Sequence, residues 1–235
     1  MGNATDLTLV LGSDDAFTTL RTAGRLRTTW AEADLALVGA YRGDDASTLV
    51  GLDIRGTLGV GYWLEVAASS HAWRQPDLAV GIDYSFPVLE NLQILAQYYR
   101  NGRGRTTPNP LRQLSATLTP ASDTEAPSPF APILGGLDYV MVSAQQIIAP
   151  EITLSAALMT HLGDGSAVAI PTMTYTPLDW LQCSVSGQLP LSIWGSGGEF
   201  NPAASSLILT QGNRDYDLSG LVPDATITFW TRASY

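Results

Sequence analysis

Leu78-Ala79-Val80-Gly81-Ile82-Asp83-Tyr84-Ser85-Phe86 alternates one residue at a time. Leu78, Val80, Ile82, Tyr84 and Phe86 fall on one side of an extended chain, and Ala79, Gly81, Asp83 and Ser85 on the other. Successive side chains of a β-strand point to opposite faces, so a period of two marks a strand with one apolar and one small or polar face. The same reading recurs toward the C-terminus. Leu181, Cys183, Val185, Gly187 and Leu189 oppose Gln182, Ser184, Ser186 and Gln188, and Ile227, Phe229, Thr231, Ala233 and Tyr235 oppose Thr226, Thr228, Trp230, Arg232 and Ser234. Helical periodicity is almost missing. Repeated segments of about ten residues with this alternation are the signature of a membrane-spanning β-barrel.

Extended along the chain, the pattern predicts strands over 5–11, 20–30, 33–42, 49–58, 61–71, 77–86, 90–100, 136–147, 151–161, 166–176, 179–190 and 224–235. Tight turns fall after every second strand, at Ala31-Glu32, Gly59-Val60, Pro87-Val88-Leu89, Ile148-Ala149-Pro150 and Pro177-Leu178. The other connections are longer and polar or glycine-rich, among them 43–48 and 72–76, with two very long ones near 101–135 and 191–223. Tight turns on one rim and long loops on the other are the habit of outer-membrane barrels. The expected fold class is therefore all-β, with residues 1–235 forming a single closed antiparallel transmembrane β-barrel of about 12 strands. Counts of roughly ten to fourteen remain compatible, depending on whether 205–211 forms a small hairpin of its own. Closure is expected from pairing of Asp6–Leu11 with Thr226–Tyr235. The proline-rich 101–135 loop leaves three readings open: disorder, an inward-folded constriction, or a short helix around Leu111–Leu118.

Composition narrows the function classes. The chain is 45% hydrophobic but only 14% charged, below the roughly 25% usual for soluble domains. None of its 12 basic residues is Lys, whereas ordinary cytosolic surfaces are studded with it. A net charge of −10 excludes a general nucleic-acid binder, which needs a basic footprint. One cysteine, Cys183, excludes an intramolecular disulfide framework and a cysteine zinc cluster. No apolar run is long enough for a transmembrane helix. Met1–Asp6 carry neither the basic nor the apolar segment of a signal peptide.

A soluble sandwich or lipocalin-like barrel would also alternate, with its apolar side inward. Two features favour the membrane. The less apolar face is rich in Ser, Thr, Gln and Gly rather than Lys and Glu, and aromatics (Trp30, Tyr41, Tyr62, Tyr84, Phe86, Tyr98, Tyr175, Trp180, Tyr235) gather near strand ends, where interfacial girdles sit. Ala33–Tyr41 with Val50–Gly59, Val80–Phe86 with Leu92–Tyr99, and Leu189–Phe200 resemble bacterial outer-membrane porin-like proteins. The resemblance implies an outer-membrane barrel that forms a pore without a defined substrate. Tyr235 with Phe229 also resembles the C-terminal signal read by the outer-membrane assembly machinery, with Tyr in place of the usual Phe.

If the apolar face meets lipid, the other lines a lumen. The candidate pore-lining residues are Arg25, Arg27, Asp34, Asp53, Arg55, Glu65, Asp83 and Arg232. Such a wall selects ions or small polar solutes, or else its charges pair across strands and hold a filled interior together. His71 and His161, at the long-loop ends of strands, read as solvated bystanders, since neither sits in a metal or nucleophile motif. Leu162–Ser166 reads as a hairpin turn rather than a phosphate loop. Asp14-Asp15 and Asp44-Asp45 read as solvated loop charge, and Cys183 as a small lipid-facing hydrophobe. No cofactor, metal or catalytic residue is expected, and a barrel-wall hydrolase using His71 or His161 stands as the last of the competing readings. Twelve strands tilted about 40° give a backbone diameter of ~24 Å and a lumen of roughly 10–14 Å. The expected function is passive diffusion of ions or small polar solutes across the bacterial outer membrane, weakly cation-selective because the chain is acidic. The alternative is a plugged structural or partner-binding barrel. Outer-membrane lipid and small solutes are the expected partners, and the long loops are expected outside the cell.

Overall fold

A computed structural model describes residues 5–13, 20–43, 46–70, 72–87, 92–107, 134–195, 198–201, 208–211, 214–217 and 225–233. Fourteen strands are present: β1 (Thr5–Ser13), β2 (Leu20–Trp30), β3 (Ala33–Arg42), β4 (Ser47–Thr57), β5 (Gly61–Ser69), β6 (Asp77–Phe86), β7 (Leu92–Arg100), β8 (Asp138–Ala149), β9 (Ile152–His161), β10 (Ser166–Leu178), β11 (Leu181–Ser192), β12 (Ile208–Gln211), β13 (Arg214–Asp217) and β14 (Thr226–Ala233). Twelve of them form one sheet in the order β1 through β11 and then β14, every pair antiparallel. The short hairpin β12–β13 stands apart as a two-stranded sheet. It occupies 208–217, a few residues beyond the 205–211 expected. No described helix is long and apolar enough to cross a membrane. His71, the two Asp-Asp pairs, Leu111–Leu118 and Tyr235 lie outside the described residues.

The hairpins follow from local chemistry. Trp30 pairs with Ala33 across a two-residue turn in which Ala31 (φ 50°) and Glu32 (φ 66°) are both left-handed. This geometry matches the twist of the flanking strands, although neither residue favours it. The next turn spans 58–60, with Gly59 at φ 79°. Two further turns lie slightly beyond their expected positions, at Pro150-Glu151 and Asp179-Trp180. Register irregularities at Ile147/Ala149 and Tyr175/Leu178 let pairing run on to Ala149↔Ile152 and Leu178↔Leu181. An extra residue in one strand shifts the end of a ladder without changing its faces elsewhere, and single-residue alternation does not register it.

Register then sorts every side chain to one of two faces. Leu7, Leu26, Leu37, Leu52, Val66 and Leu78 stand directly opposite one another across β1–β6. One residue along, Asp6, Arg27, Ala36, Asp53, Glu65, Ala79, Tyr99, Tyr139 and His161 form a row across β1–β9 on the other face. A one-residue slip would exchange these faces wholesale, so the contrast pins the register.

Burial is inverted relative to a soluble protein. Among the described residues the buried apolar positions are only Ala36, Tyr139 and Ala167, while Ser47, Ser69, Asn101, Thr160, His161, Ser166 and Ser184 are buried and polar. Large apolar side chains stay exposed on every strand of the twelve-stranded sheet except β5 and β7, Leu9 at 69% and Phe229 at 77%. Exposed aromatics mark both rims: Trp30, Phe86 and Trp180 at the tight turns, Tyr41, Trp73 and Trp194 at the other end. Among the described residues no ladder joins β1 to β14, so Arg232 is not brought beside Arg25 and Arg27 by strand pairing. Every described side chain of both edge strands is exposed. Closing the sheet depends on strand tilt and stagger accumulated over all twelve strands, which no single hairpin specifies.

Candidate functional site

All the charged residues singled out from sequence share the polar face. Arg25, Arg27 and Asp34 are placed there by the β2–β3 register, Asp53 and Arg55 by β4, Glu65 by β5, Asp83 by β6 and Arg232 by β14. The structure gathers part of the set into two ion-pair groups. Arg27 Nη2 pairs with Asp34 Oδ2, whose other oxygen accepts from Thr29 Oγ1 at 2.7 Å. Arg55 donates from Nε to Asp53 Oδ1 at 3.0 Å and from Nη2 to Glu65 Oε1 at 2.5 Å. These side chains keep contact with solvent, from 21% for Asp53 to 60% for Arg55. Partly solvated pairs of this kind contribute little stability, about 0–1 kcal/mol each. Among the described residues Arg25, Asp83 and Arg232 make no ion pair.

A pocket of about 330 Å³ opens on this face. Its floor is Gly51, Ala67 and Ala79, in register positions that carry at most a methyl group. Its walls include Asp53, Arg55 and Glu65, which the sequence reading identifies, and Asp77 and Tyr99, which it does not. Beside it, the Trp63 ring lies over Gly81 so closely that a Cβ there would collide with it. On the opposite face Tyr62 covers Gly56 in the same way. A larger pocket of about 630 Å³ on the apolar face has a floor of Ala144, Ala156, Pro171 and Gly187.

The third feature is a buried polar knot at the long-loop rim, and it corrects the reading of His161. That side chain is 0% exposed rather than a solvated bystander. It packs against Tyr139 (ring centroids 5.1 Å apart) and under Gly136, where a Cβ would strike its ring. His161 Nδ1 lies 2.9 Å from Asp164 Oδ2, off the line a ring N–H donation requires, and among the described residues Nε2 has no hydrogen-bond partner. Asp164 Oδ1 accepts from Ser166 N (2.8 Å) and Ser166 Oγ (2.7 Å), and its Oδ2 from Glu199 N (2.9 Å). Glu199 reaches back across the rim to accept from Gly135 N at 2.7 Å, Gly136 N at 3.1 Å and Tyr139 Oη. Asn101 Nδ2 ties in Leu134 O at 2.7 Å. Burial opposes ionisation of Asp164, but the hydrogen bonds from Ser166 and Glu199 and the close contact with His161 outweigh it and hold the carboxyl below its ordinary range. The knot thus joins segments 134–137, 161–166 and 198–201. The Asp164-Gly165 turn is readable in sequence, with Gly165 at φ 71°. Its partner Glu199 is not, because Tyr139 and Glu199 are 60 positions apart.

No family model matches the chain, and no curated protein matches it. Among solved structures it is similar to a NanC porin determined in a rhombohedral crystal form. The identity is 9%, the match covers 86% of this chain and 93% of that one, and the TM-score is 0.35. A likeness this distant carries no argument about site or function, and the functional reading rests on the geometry above.

Proposed function

We propose that the twelve-stranded sheet closes into a transmembrane barrel of the bacterial outer membrane and that its polar face lines a passage for ions and small polar solutes, with a weak preference for cations. The observation that carries this reading is the inverted burial: large apolar side chains are exposed on ten of the twelve long strands, all but β5 and β7, while the buried side chains among the described residues are mostly small and polar. In water such a continuous apolar surface would drive association. In a bilayer it is the solvated face. Closure follows from the same premise, because an unpaired strand edge in hydrocarbon costs several kcal/mol per orphaned N–H or C=O. With twelve strands, β14 runs antiparallel to β1, the direction closure needs. Small residues facing the lumen (Gly51, Ala79, Gly81, Ser184, Ser186) leave room for a passage, and Asp53, Glu65 and Asp77 outnumber Arg55 around its polar-face pocket. The chain is read as a passive conduit rather than an enzyme, and the long loops as extracellular.

Recordings from refolded protein in planar bilayers test this. The expected result is stepwise conductance with a reversal potential of the cation-preferring sign in a salt gradient. Silence, or clear anion preference, would overturn it. Silence would favour a structural barrel with a blocked lumen, the second reading, which has the rim knot in its favour because Glu199 and Asp164 bind the stems of the long loops to the wall.

A further inference from the structure

We propose that the pocket bordered by Glu65, Asp77 and Tyr99 is a binding subsite for a small organic cation, a primary amine or guanidinium carried on a short aliphatic chain. The proposal rests on the passage reading and names the solute class that reading leaves open. At about 330 Å³ the pocket is at the small end of ligand sites, which limits its occupant to a compact molecule. Three adjacent strands supply Gly51, Ala67 and Ala79 beneath it, so the space exists because no side chain longer than a methyl rises from the floor.

The wall chemistry selects the charge. Asp53 and Glu65 share the single guanidinium of Arg55. Asp77 Oδ1 accepts Gly102 N at 2.9 Å, and among the described residues its second oxygen has no partner. Even with the nearby Arg103 counted, three carboxylates face two guanidiniums, and an anion would be repelled. Tyr99 lines the same pocket with its ring braced against Tyr139, centroids 6.2 Å apart at 27°, which fixes an aromatic surface beside Asp77. Aromatic rings attract cations electrostatically, and most strongly those that shed their water easily. Val38 and Leu49 add apolar wall suited to methylene groups. A hydrated metal ion would use the carboxylates but neither Tyr99 nor the apolar wall. An alkylammonium or alkylguanidinium uses all three.

The full-length protein, refolded in detergent micelles, is titrated with butylammonium and separately with butyrate, with binding read by calorimetry. Saturable 1:1 binding of butylammonium and none of butyrate is expected. Asp77→Asn, which keeps the side-chain shape and the acceptor for Gly102 N, should weaken binding at least tenfold, and Tyr99→Leu several-fold. Ala79→Leu, which fills the floor without touching a charge, should abolish it. Absence of saturable butylammonium binding, equal affinity for butyrate, or unchanged affinity in both Asp77→Asn and Tyr99→Leu would overturn the subsite. Binding in micelles does not require an open passage. Amine binding by a protein that conducts nothing would therefore keep the subsite and remove the pore, whereas conductance without amine binding would do the reverse.

Discussion

The two ends of the sheet order and its middle are built on different principles. Around Tyr139, where β7–β10 meet the long-loop rim, side chains do much of the holding: Tyr139 is 1% exposed, His161 and Ser166 are equally sequestered, and Asp164 and Glu199 bind backbone N–H groups from segments distant in sequence. At β1 and β14 every described side chain is exposed, and among the described residues each strand has a ladder along one edge only. Backbone pairing alone suffices to lay a strand down, whereas fixing loops against a rim takes buried polar groups satisfied by one another. A buried network of this kind is stabilising only when complete, which makes the knot the more brittle of the two regions.

Removing the centre of the knot should produce the largest effect. Tyr139→Ala deletes a buried aromatic ring and removes one of the donors to Glu199, for an expected loss of about 3–5 kcal/mol. Leu9→Ala on β1, at a side chain 69% exposed, should cost about 1 kcal/mol or less. Urea unfolding of both variants in the same detergent measures the difference, and equal losses would show that the two regions do not differ in how they are held.

Acid should discriminate between them next. The carboxyl of Asp164 titrates below its ordinary value of about 4 because its ionised form is hydrogen-bonded in the folded protein. The stabilisation is therefore complete above the unfolded value and disappears as the pH falls through the lower folded one. Proteolysis of the 134–137 and 198–201 stems should accelerate in that acid window while cleavage near β1 does not change. Asp164→Asn should make the stems labile already at neutral pH and flatten the acid limb. An unaltered pH profile in this variant would remove Asp164 as the titrating group.

A modest effect belongs to the β2–β3 turn, one strand in from the β1 edge. Ala31 and Glu32 sit at left-handed φ without being glycine or asparagine. The double substitution Ala31→Asn with Glu32→Gly suits the turn and should stabilise the β2–β3 hairpin by about 1–2 kcal/mol. A rise in the urea midpoint without a change of slope would confirm it. No change would mean that the turn strain is relaxed elsewhere and the ladder alone governs this hairpin.

Much of the polar face is legible residue by residue. Counting in twos assigns Arg27, Asp34, Asp53, Arg55 and Glu65 to one side, and register carries that parity across each hairpin. Asp77 and Tyr99 obey the same parity, yet neither stands out in its own strand. Only their position next to Ala67 and Ala79 makes them walls of a pocket. His161 misleads for the opposite reason: its strand-end position is that of a solvated residue, and what buries it arrives from Gly136, Gly163 and the Glu199 segment.

By itself the sequence determined the strands, the alternation of tight turns with long links, and the faces, because each depends on period two and on chemistry within a few residues. Tertiary structure alone decided how the bulges lengthen β8 and β10, where the polar-face pocket opens and how the rim is tied. Bulges change a ladder without changing composition, a pocket is the shape left by side chains from adjacent strands, and the knot joins groups as far apart as Gly135 and Glu199. The meeting of β1 and β14 belongs to the same class, since it depends on twist and stagger summed over the whole sheet rather than on the residues of either strand.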